Sequence, residues 1–334
     1  MTRPLVSFVI PTLNAEKILP ACLRSIRKQD LDASQYEILL ADGGSADRTA
    51  AIAQEFGCRP VEAKGLLAEA AKKKCFEAAQ SRYVALLDSD NEIASADWLR
   101  RALEALDAHP EALGFESYYL KHPADSHLNR FLTGCLQISD PIARSMATLP
   151  ELVARDAAGV ETWRLPDTGA YPTGANGFIF RKELLARLGE APYHEAAFFP
   201  QLMRQGLREL VKIRGCGVYH HYVSGWRDYF RKRRRAMILY LLRKQETRDT
   251  WDQRRLSPRM KLRILWNLSF IGPLAQSVAR AARERDPEWL LWAPASAVSA
   301  VGNIVGVLGY HLSPSQSSRQ AAAMTLSKFN NRAA

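Results

Sequence analysis

Between Val6 and about Val223, short apolar runs of strand length alternate with longer stretches whose apolar residues recur every three or four positions. Residues 6–10, 36–40 and 83–87 are mostly aliphatic or aromatic, as suits strands buried on both faces of a sheet. Between them lie 15–28, with Ile18, Leu19, Cys22, Leu23 and Ile26 on one helical face, then 46–56 and 66–79. The order β-α-β-α-α-β predicts an α/β fold in which right-handed crossovers wrap a mostly parallel, Rossmann-like sheet with flanking helices.

The texture changes at Trp226. Five consecutive bases, Arg231 to Arg235, precede the apolar Ile238 to Leu242, and residues 264–279 carry no charge. After a polar break at 280–288, residues 289–312 form a run of 24 without Asp, Glu, Lys or Arg, against the about 20 apolar residues that cross a bilayer. Pro294, Asn303, His311 and several Ser and Gly dilute it, so spanning, re-entrant and in-plane arrangements all stay open. Three segments are expected: a catalytic domain over 1–225, a basic, apolar helical region over 226–312, and a flexible tail over 313–334.

Charge sharpens that division. Of the net +11, residues 1–225 carry 26 Lys/Arg against 28 Asp/Glu, and 226–334 carry 20 against 7. A nucleic-acid arm presents bases with exposed aromatics and little aliphatic surface; here bases alternate with Leu, Ile and Trp in helical segments. Attachment to an anionic membrane surface accounts for both features, with Trp266, Trp289 and Trp292 suited to the interface. Packing of 262–312 as helices against the catalytic domain or a partner subunit is the alternative. The five scattered cysteines contain no CxxC pair and suggest neither a disulfide framework nor a zinc knuckle. The chain opens directly into a strand-like run, so no signal peptide is expected.

Three polar clusters follow expected strands: Pro11-Thr12-Leu13-Asn14-Ala15-Glu16, Asp42-Gly43-Gly44-Ser45-Ala46-Asp47, and Asp88-Ser89-Asp90. Carboxyl ends of strands that converge on one edge of a parallel sheet build one site. Taken alone, 42–45 reads equally as a tight turn. The Asp88 and Asp90 carboxylates point the same way in extended backbone and repel unless a hard cation sits between them and a phosphate, the usual setting of Mg²⁺. Capping of a helix by either aspartate is the competing reading.

In this order and spacing the clusters resemble the nucleotide-sugar domain of family 2 glycosyltransferases of the GT-A fold, with 173–181 similar to that family's acceptor-side strand; the resemblance covers about residues 5–222. It implies that Pro11, Thr12, Asn14 and Glu16 line a nucleotide pocket and that Asp42 bonds the base, typically uracil. It further implies that Asp88, with Ser89, faces the ribose or metal side, and that Asp90 ligates a Mg²⁺ or Mn²⁺ bridging the diphosphate. Lys72, Lys73 and Lys74 occupy a stretch where the family usually has an Arg-Asn pair. The general base falls at Glu195, with His194 and Asp167 as alternatives, and His221 is placed to reach the diphosphate or metal. The expectation is a metal-dependent inverting enzyme on the cytoplasmic face of the inner membrane. It would move a sugar from a nucleotide-sugar donor, a UDP-sugar, to a hydroxyl of a lipid-linked or cell-surface glycan, with no nucleic-acid partner. A catalytically silent nucleotide-sugar-binding scaffold and a basic nucleic-acid-binding protein are the rival readings. Asp42, Asp88 and Asp90 are expected to gather around one cation and one donor.

Overall fold

The computed structural model describes residues 3–166, 176–189, 193, 195–246, 258–269, 271–313, 315, 317–318 and 321. In chain order the elements are β1 (Val6–Thr12), α1 (Leu19–Arg27), β2 (Tyr36–Asp42), α2 (Thr49–Glu55), β3 (Arg59–Glu62), α3 (Ala68–Ala78), β4 (Tyr83–Leu86) and β5 (Asn91–Ile93). There follow α4 (Trp98–Ala108), β6 (Gly114–Glu116), β7 (Tyr118–Leu120), α5 (His127–Arg130), α6 (Pro141–Met146), β8 (Glu151–Arg155), β9 (Val160–Arg164) and β10 (Phe178–Arg181). The chain closes with α7 (Glu195–Met203), β11 (Glu209–Ile213), β12 (Gly217–His220), α8 (Trp226–Glu246), α9 (Pro258–Leu268), α10 (Ile271–Glu284) and α11 (Trp292–Leu312).

Two compact units divide the chain. The first takes residues 1–120 and 149–220, the second 121–148 and 221–334. The helical region beginning near 226 is thus joined by an inserted stretch, 121–148, that local sequence pattern does not distinguish from the α/β part.

In the first unit a nine-stranded sheet runs β3-β2-β1-β4-β10-β6-β11-β9-β8, and a small sheet runs β5-β12-β7. Strands β3, β2, β1 and β4 are mutually parallel, while β10 pairs antiparallel with both β4 and β6. Strand β3 inserts between the two helices that the sequence pattern left adjacent. Its residues are mostly exposed and include Pro60, which an edge strand tolerates, so it carries no apolar signature. Side chains alternate across β1: Val6, Phe8 and Ile10 pack with Leu19, Leu23 and Ile26 of α1 and Trp98 and Leu99 of α4. Val9 faces the other way, into a core shared with Cys75 and Phe76 of α3 and Phe198 and Leu202 of α7. Every residue of β1 is buried, and the strand ends at Thr12, in register with Asp42 of β2.

The second unit packs α8 along α11. Gly302 and Gly306 of α11 allow the approach, since a Cβ there would stand 2.8 Å from Arg233 Cβ and 2.7 Å from the Arg234 carbonyl. Arg233, from the basic run, is turned inward onto Asp140 at 2.6 Å, and Asp140 also accepts from Ser299 Oγ at 2.8 Å. Trp289 and Trp292, expected at a membrane interface, instead stack on each other at 5.6 Å and contact Phe131 in this unit's core. Only Trp266 of the three is exposed. Among the described residues one helix, Pro287–Leu312, is long and apolar enough to cross a membrane by length and composition, with a mean hydropathy of 1.5.

Candidate functional site

The carboxyl ends of β1 and β2 carry two loops that are bonded to each other. Asn14 adopts a left-handed backbone, φ 51°, which asparagine accepts more readily than most residues. Its N–H donates to Ser45 Oγ at 2.8 Å, while its Oδ1 accepts from the Ala46 N–H at 2.9 Å. The Glu16 N–H donates to Asp47 Oδ2, and Glu16 Oε2 accepts from the Arg48 N–H. Asn14 and Glu16 therefore fix the rim of the site. Asp42 Oδ1 accepts from the N–H groups of Gly44 and Ser45 and from Ser45 Oγ at 2.6 Å, a local turn that requires Gly44 at φ 100°. Beside it a cavity of about 570 Å³ opens between β2, β3 and α2, lined by Asp42, Gly44, Cys58, Val61 and Lys64 among others. Pro11 and Thr12 are buried at the end of β1.

One strand further on, β4 delivers Asp88, Ser89 and Asp90. No helix follows them: Asp88 and Asn91 close a turn, the Asp88 N–H donating to Asn91 Oδ1 and the Asn91 N–H to the Asp88 carbonyl, and β5 begins at once. The helix-capping reading is thereby set aside. The two carboxylates diverge. Asp90 Oδ1 lies 3.5 Å from His220 Nε2 at the end of β12 and accepts from Asn91 Nδ2 at 3.2 Å. Asp88 Oδ1 lies 2.9 Å from Lys72 Nζ.

Lys72 is the centre of the arrangement. It lies on α3, its side chain 2% exposed, and its ammonium is shared by Asp88 and Glu195. Burial alone would lower the pKa of this amine, but the two carboxylates outweigh it and hold the amine above its usual range. Lys74, in contrast, pairs with Glu77 on the exposed side of the helix. Glu195 opens α7, where the positive end of the helix favours a carboxylate, and its N–H donates to Glu69 Oε1 at 3.0 Å. Burial pushes the Glu195 carboxyl above the ordinary carboxylate range against the pull of Lys72, with Asp88 and Glu69 adding to the rise. Nearby in the same unit, Tyr119 packs against the His220 ring at 5.4 Å and its hydroxyl accepts from Asn176 Nδ2 at 3.0 Å.

Strand order fixes how these groups relate. Since β1 separates β2 from β4, Asp42 and Asp88 stand two strand spacings apart, about 10 Å. Their carboxylates also face different partners, Asp42 turned onto Gly44 and Ser45 and Asp88 onto Lys72. The Asp42 loop and the Asp88/Asp90 turn thus mark two ends of one edge, with Glu195 brought to the latter end by Lys72. His221 falls in the second unit, its Nδ1 2.8 Å from Asp125 Oδ1. His194 and Asp167 lie outside the described residues. Sequence reasoning did not single out Glu69 or Tyr119, which lack a motif, and it gave Asn176, inside the 173–181 stretch, no role of its own. It placed His221, rather than His220, toward the diphosphate or metal. The signal for Lys72 was present: it lies four positions before Phe76 and one after Ala71 on the buried stripe of α3.

Residues 7–135 match the sequence model described as glycosyl transferase family 2. A Mycobacterium bovis protein named PGL/p-HBAD biosynthesis glycosyltransferase is 32% identical over 115 residues, which is 33% of this chain and 44% of that protein. Bacillus subtilis EpsJ, described as an uncharacterized glycosyltransferase, is 31% identical over 121 residues, 34% of each chain. The chain thus spans less than half the length of these curated relatives. Among solved structures, the Pyrobaculum calidifontis mannosyltransferase PcManGT in complex with GDP-Man and Mn²⁺ superposes with a TM-score of 0.50 at 16% identity, covering 99% of this chain and 89% of that one.

Proposed function

We propose that the protein, whose residues 7–135 match glycosyl transferase family 2 in a chain with the GT-A fold, is a member of that family and transfers a sugar from a nucleoside diphosphate donor, a UDP-sugar, to a hydroxyl of a lipid-linked or cell-surface glycan, with inversion. The observation that carries this reading is the convergence of Asp88 and Glu195 on the buried Lys72 ammonium, which sets the residue expected to act as base beside the residues expected to hold the donor.

In this reading Asp42 and the loops around it receive the base and ribose. Asp90, with His220 and in part Asp88, offers carboxylate oxygens and an imidazole nitrogen from one strand end and one neighbouring strand. That donor set would suit Mn²⁺ or Mg²⁺. The cation would neutralise the charge developing on the leaving nucleoside diphosphate. Glu195 removes the proton of the acceptor hydroxyl as that oxygen bonds to the anomeric carbon and the anomeric carbon–phosphate oxygen bond breaks. The raised affinity of Glu195 for a proton suits that role. Lys72 must release Glu195 for the transfer step, and the incoming diphosphate is the anion able to draw its ammonium away.

The second unit serves attachment to the cytoplasmic face of the inner membrane. Leu262, Leu265 and Trp266 of α9, Ile271, Leu274 and Val278 of α10, and Val301, Ile304 and Leu308 of α11 are exposed, and exposed bases Lys261, Arg263 and Arg283 accompany them. Such a mixture suits an anionic lipid surface. A nucleotide-sugar-binding scaffold without transfer is the second reading, favoured by the ion pair that occupies Glu195. Assay of the full chain with UDP-sugars, Mn²⁺ and polyprenyl-diphosphate-linked saccharides separates the two: acceptor-dependent release of UDP supports transfer, and donor binding without release supports the scaffold.

A further inference from the structure

In the second unit, outside the donor site, His122, Asp125 and His221 bring two imidazoles and one carboxylate together, with one donor atom from each lying within 4.8 Å of the others. All three residues are half-buried, so their donor atoms are screened from bulk water without being sealed from it. His221 Nδ1 is 2.8 Å from Asp125 Oδ1, and the rings of His122 and His221 meet edge to face at 5.2 Å. We propose that these residues form a binding site for a transition-metal ion of the Zn²⁺ class, held by His122, Asp125 and His221 with water in the fourth position.

Local backbone and a second layer of hydrogen bonds preorganise the set. The Asp125 N–H donates to the His122 carbonyl at 3.1 Å, a turn that brings the first two ligands together. Asn129, fully buried, donates from Nδ2 to Asp125 Oδ2 at 2.8 Å and accepts at Oδ1 from the Val223 N–H at 2.9 Å. One amide therefore orients the carboxylate ligand and anchors the backbone two residues beyond His221, as the outer partners of metal ligands do. The Ala124 N–H approaches His122 Nδ1 at 3.3 Å, loose enough for that nitrogen to give it up. With metal–ligand distances of about 2.0–2.2 Å, tetrahedral donor atoms stand about 3.3 Å apart. The His221–Asp125 pair must open by about half an ångström, the metal replacing the shared proton, and His122 must close inward.

The donor chemistry separates this centre from the site for the nucleotide-bound cation. Two imidazoles and a single carboxylate favour first-row transition metals such as Zn²⁺, whereas Mg²⁺ and Ca²⁺ take oxygen-rich sets. Its effect would be to clamp residues 122–125 to 221–223 and so to stabilise the second unit, since metal that binds only the folded state adds to its stability.

The test uses the full chain carrying Asp90→Asn, which removes the donor cation site and makes the result independent of the transfer reading. Chelator-treated protein is titrated with Co²⁺, read by the visible absorption of four-coordinate cobalt, and with Zn²⁺, read by calorimetry and melting temperature. One equivalent of each metal is expected, with Zn²⁺ raising the melting temperature. His122→Ala and His221→Ala should each lower affinity at least about 100-fold, as ligand loss exceeds the about 10- to 100-fold cost of losing an outer partner. His122→Gln is the check should an alanine variant fold poorly. Absence of a one-to-one complex, or affinity and cobalt spectrum unchanged in the folded His122 and His221 variants, overturns the proposal.

Discussion

The carboxylate of Glu195, at the start of α7, is ion-paired with the ammonium of Lys72, which is 2% exposed and also holds Asp88 at 2.9 Å. One buried cation thus joins the two acidic groups that a sugar transfer would use at successive stages. The first consequence concerns stability. Lys72→Met keeps the aliphatic stem but leaves two carboxylates without their shared counter-charge. Breaking a buried pair costs about 3–5 kcal/mol, and because Asp88 and Glu195 are 37% and 27% exposed the lower end applies. Denaturant unfolding should show a loss of about 3 kcal/mol; a change under about 0.5 kcal/mol would mean that the ammonium is not needed there.

A second consequence concerns pH. A base acts only when deprotonated, and burial raises the pKa of Glu195 above that of a solvated carboxylate. Transfer should therefore fall away as pH drops, with the acidic limb of kcat/KM lying above the ordinary glutamate value of about 4.3. Glu195→Gln should abolish that limb and lower the rate by about 10²–10⁴-fold while donor binding persists. A limb at or below the ordinary value, or one retained in the Gln variant, would assign the base to another residue.

Asp42 offers a different split. Its Oδ1 takes three hydrogen bonds from Gly44 and Ser45, so Asp42→Ala should cost about 1 kcal/mol of stability. Because it stands about two strand spacings from Asp88, it should raise the KM for donor about tenfold with kcat little changed. Steady-state kinetics at saturating acceptor decide this, and an equal fall in kcat would place Asp42 nearer the chemistry.

The helical unit can be examined separately. Replacing Leu262, Leu265 and Leu274 by Ser removes exposed apolar area from α9 and α10. At about 1 to 1.5 kcal/mol each, the triple variant should bind vesicles containing anionic lipid at least about 100-fold more weakly in flotation, with the melting curve unchanged. Undiminished flotation would locate the membrane contact elsewhere.

How far the sequence spoke for this structure depended on whether the signal was local. Strands β1, β2 and β4 were legible as apolar runs, and the structure extends two of them, to Thr12 and Asp42, into the polar clusters. Strand β3 was not, since an edge strand of Arg59, Pro60, Val61 and Glu62 has no apolar alternation. Membership of 121–148 in the second unit is a matter of long-range packing that no periodicity records. Trp289 and Trp292 illustrate the same limit: a tryptophan near an apolar run looks the same whether it meets a lipid interface or, as here, stacks in a core. Among the candidate site residues, Asp88 and Asp90 stood out by their spacing. Lys72 needed helical periodicity in a run of three identical residues to show which one turns inward.

Binding of a nucleotide sugar to the end of the sheet that carries Asp88 and Asp90 is the central claim, and thermal unfolding of the full chain in a panel of nucleotide sugars, with and without Mn²⁺, tests it most directly. A donor present at about 100 times its Kd stabilises the native state by about 2.7 kcal/mol. A UDP-sugar together with Mn²⁺ should raise the melting temperature of the wild type, Mn²⁺ alone much less, and Asp90→Ala should lose the joint effect while keeping its own unliganded melting temperature. An equal shift in the Asp90→Ala protein, or no shift with any nucleotide sugar, would contradict the account.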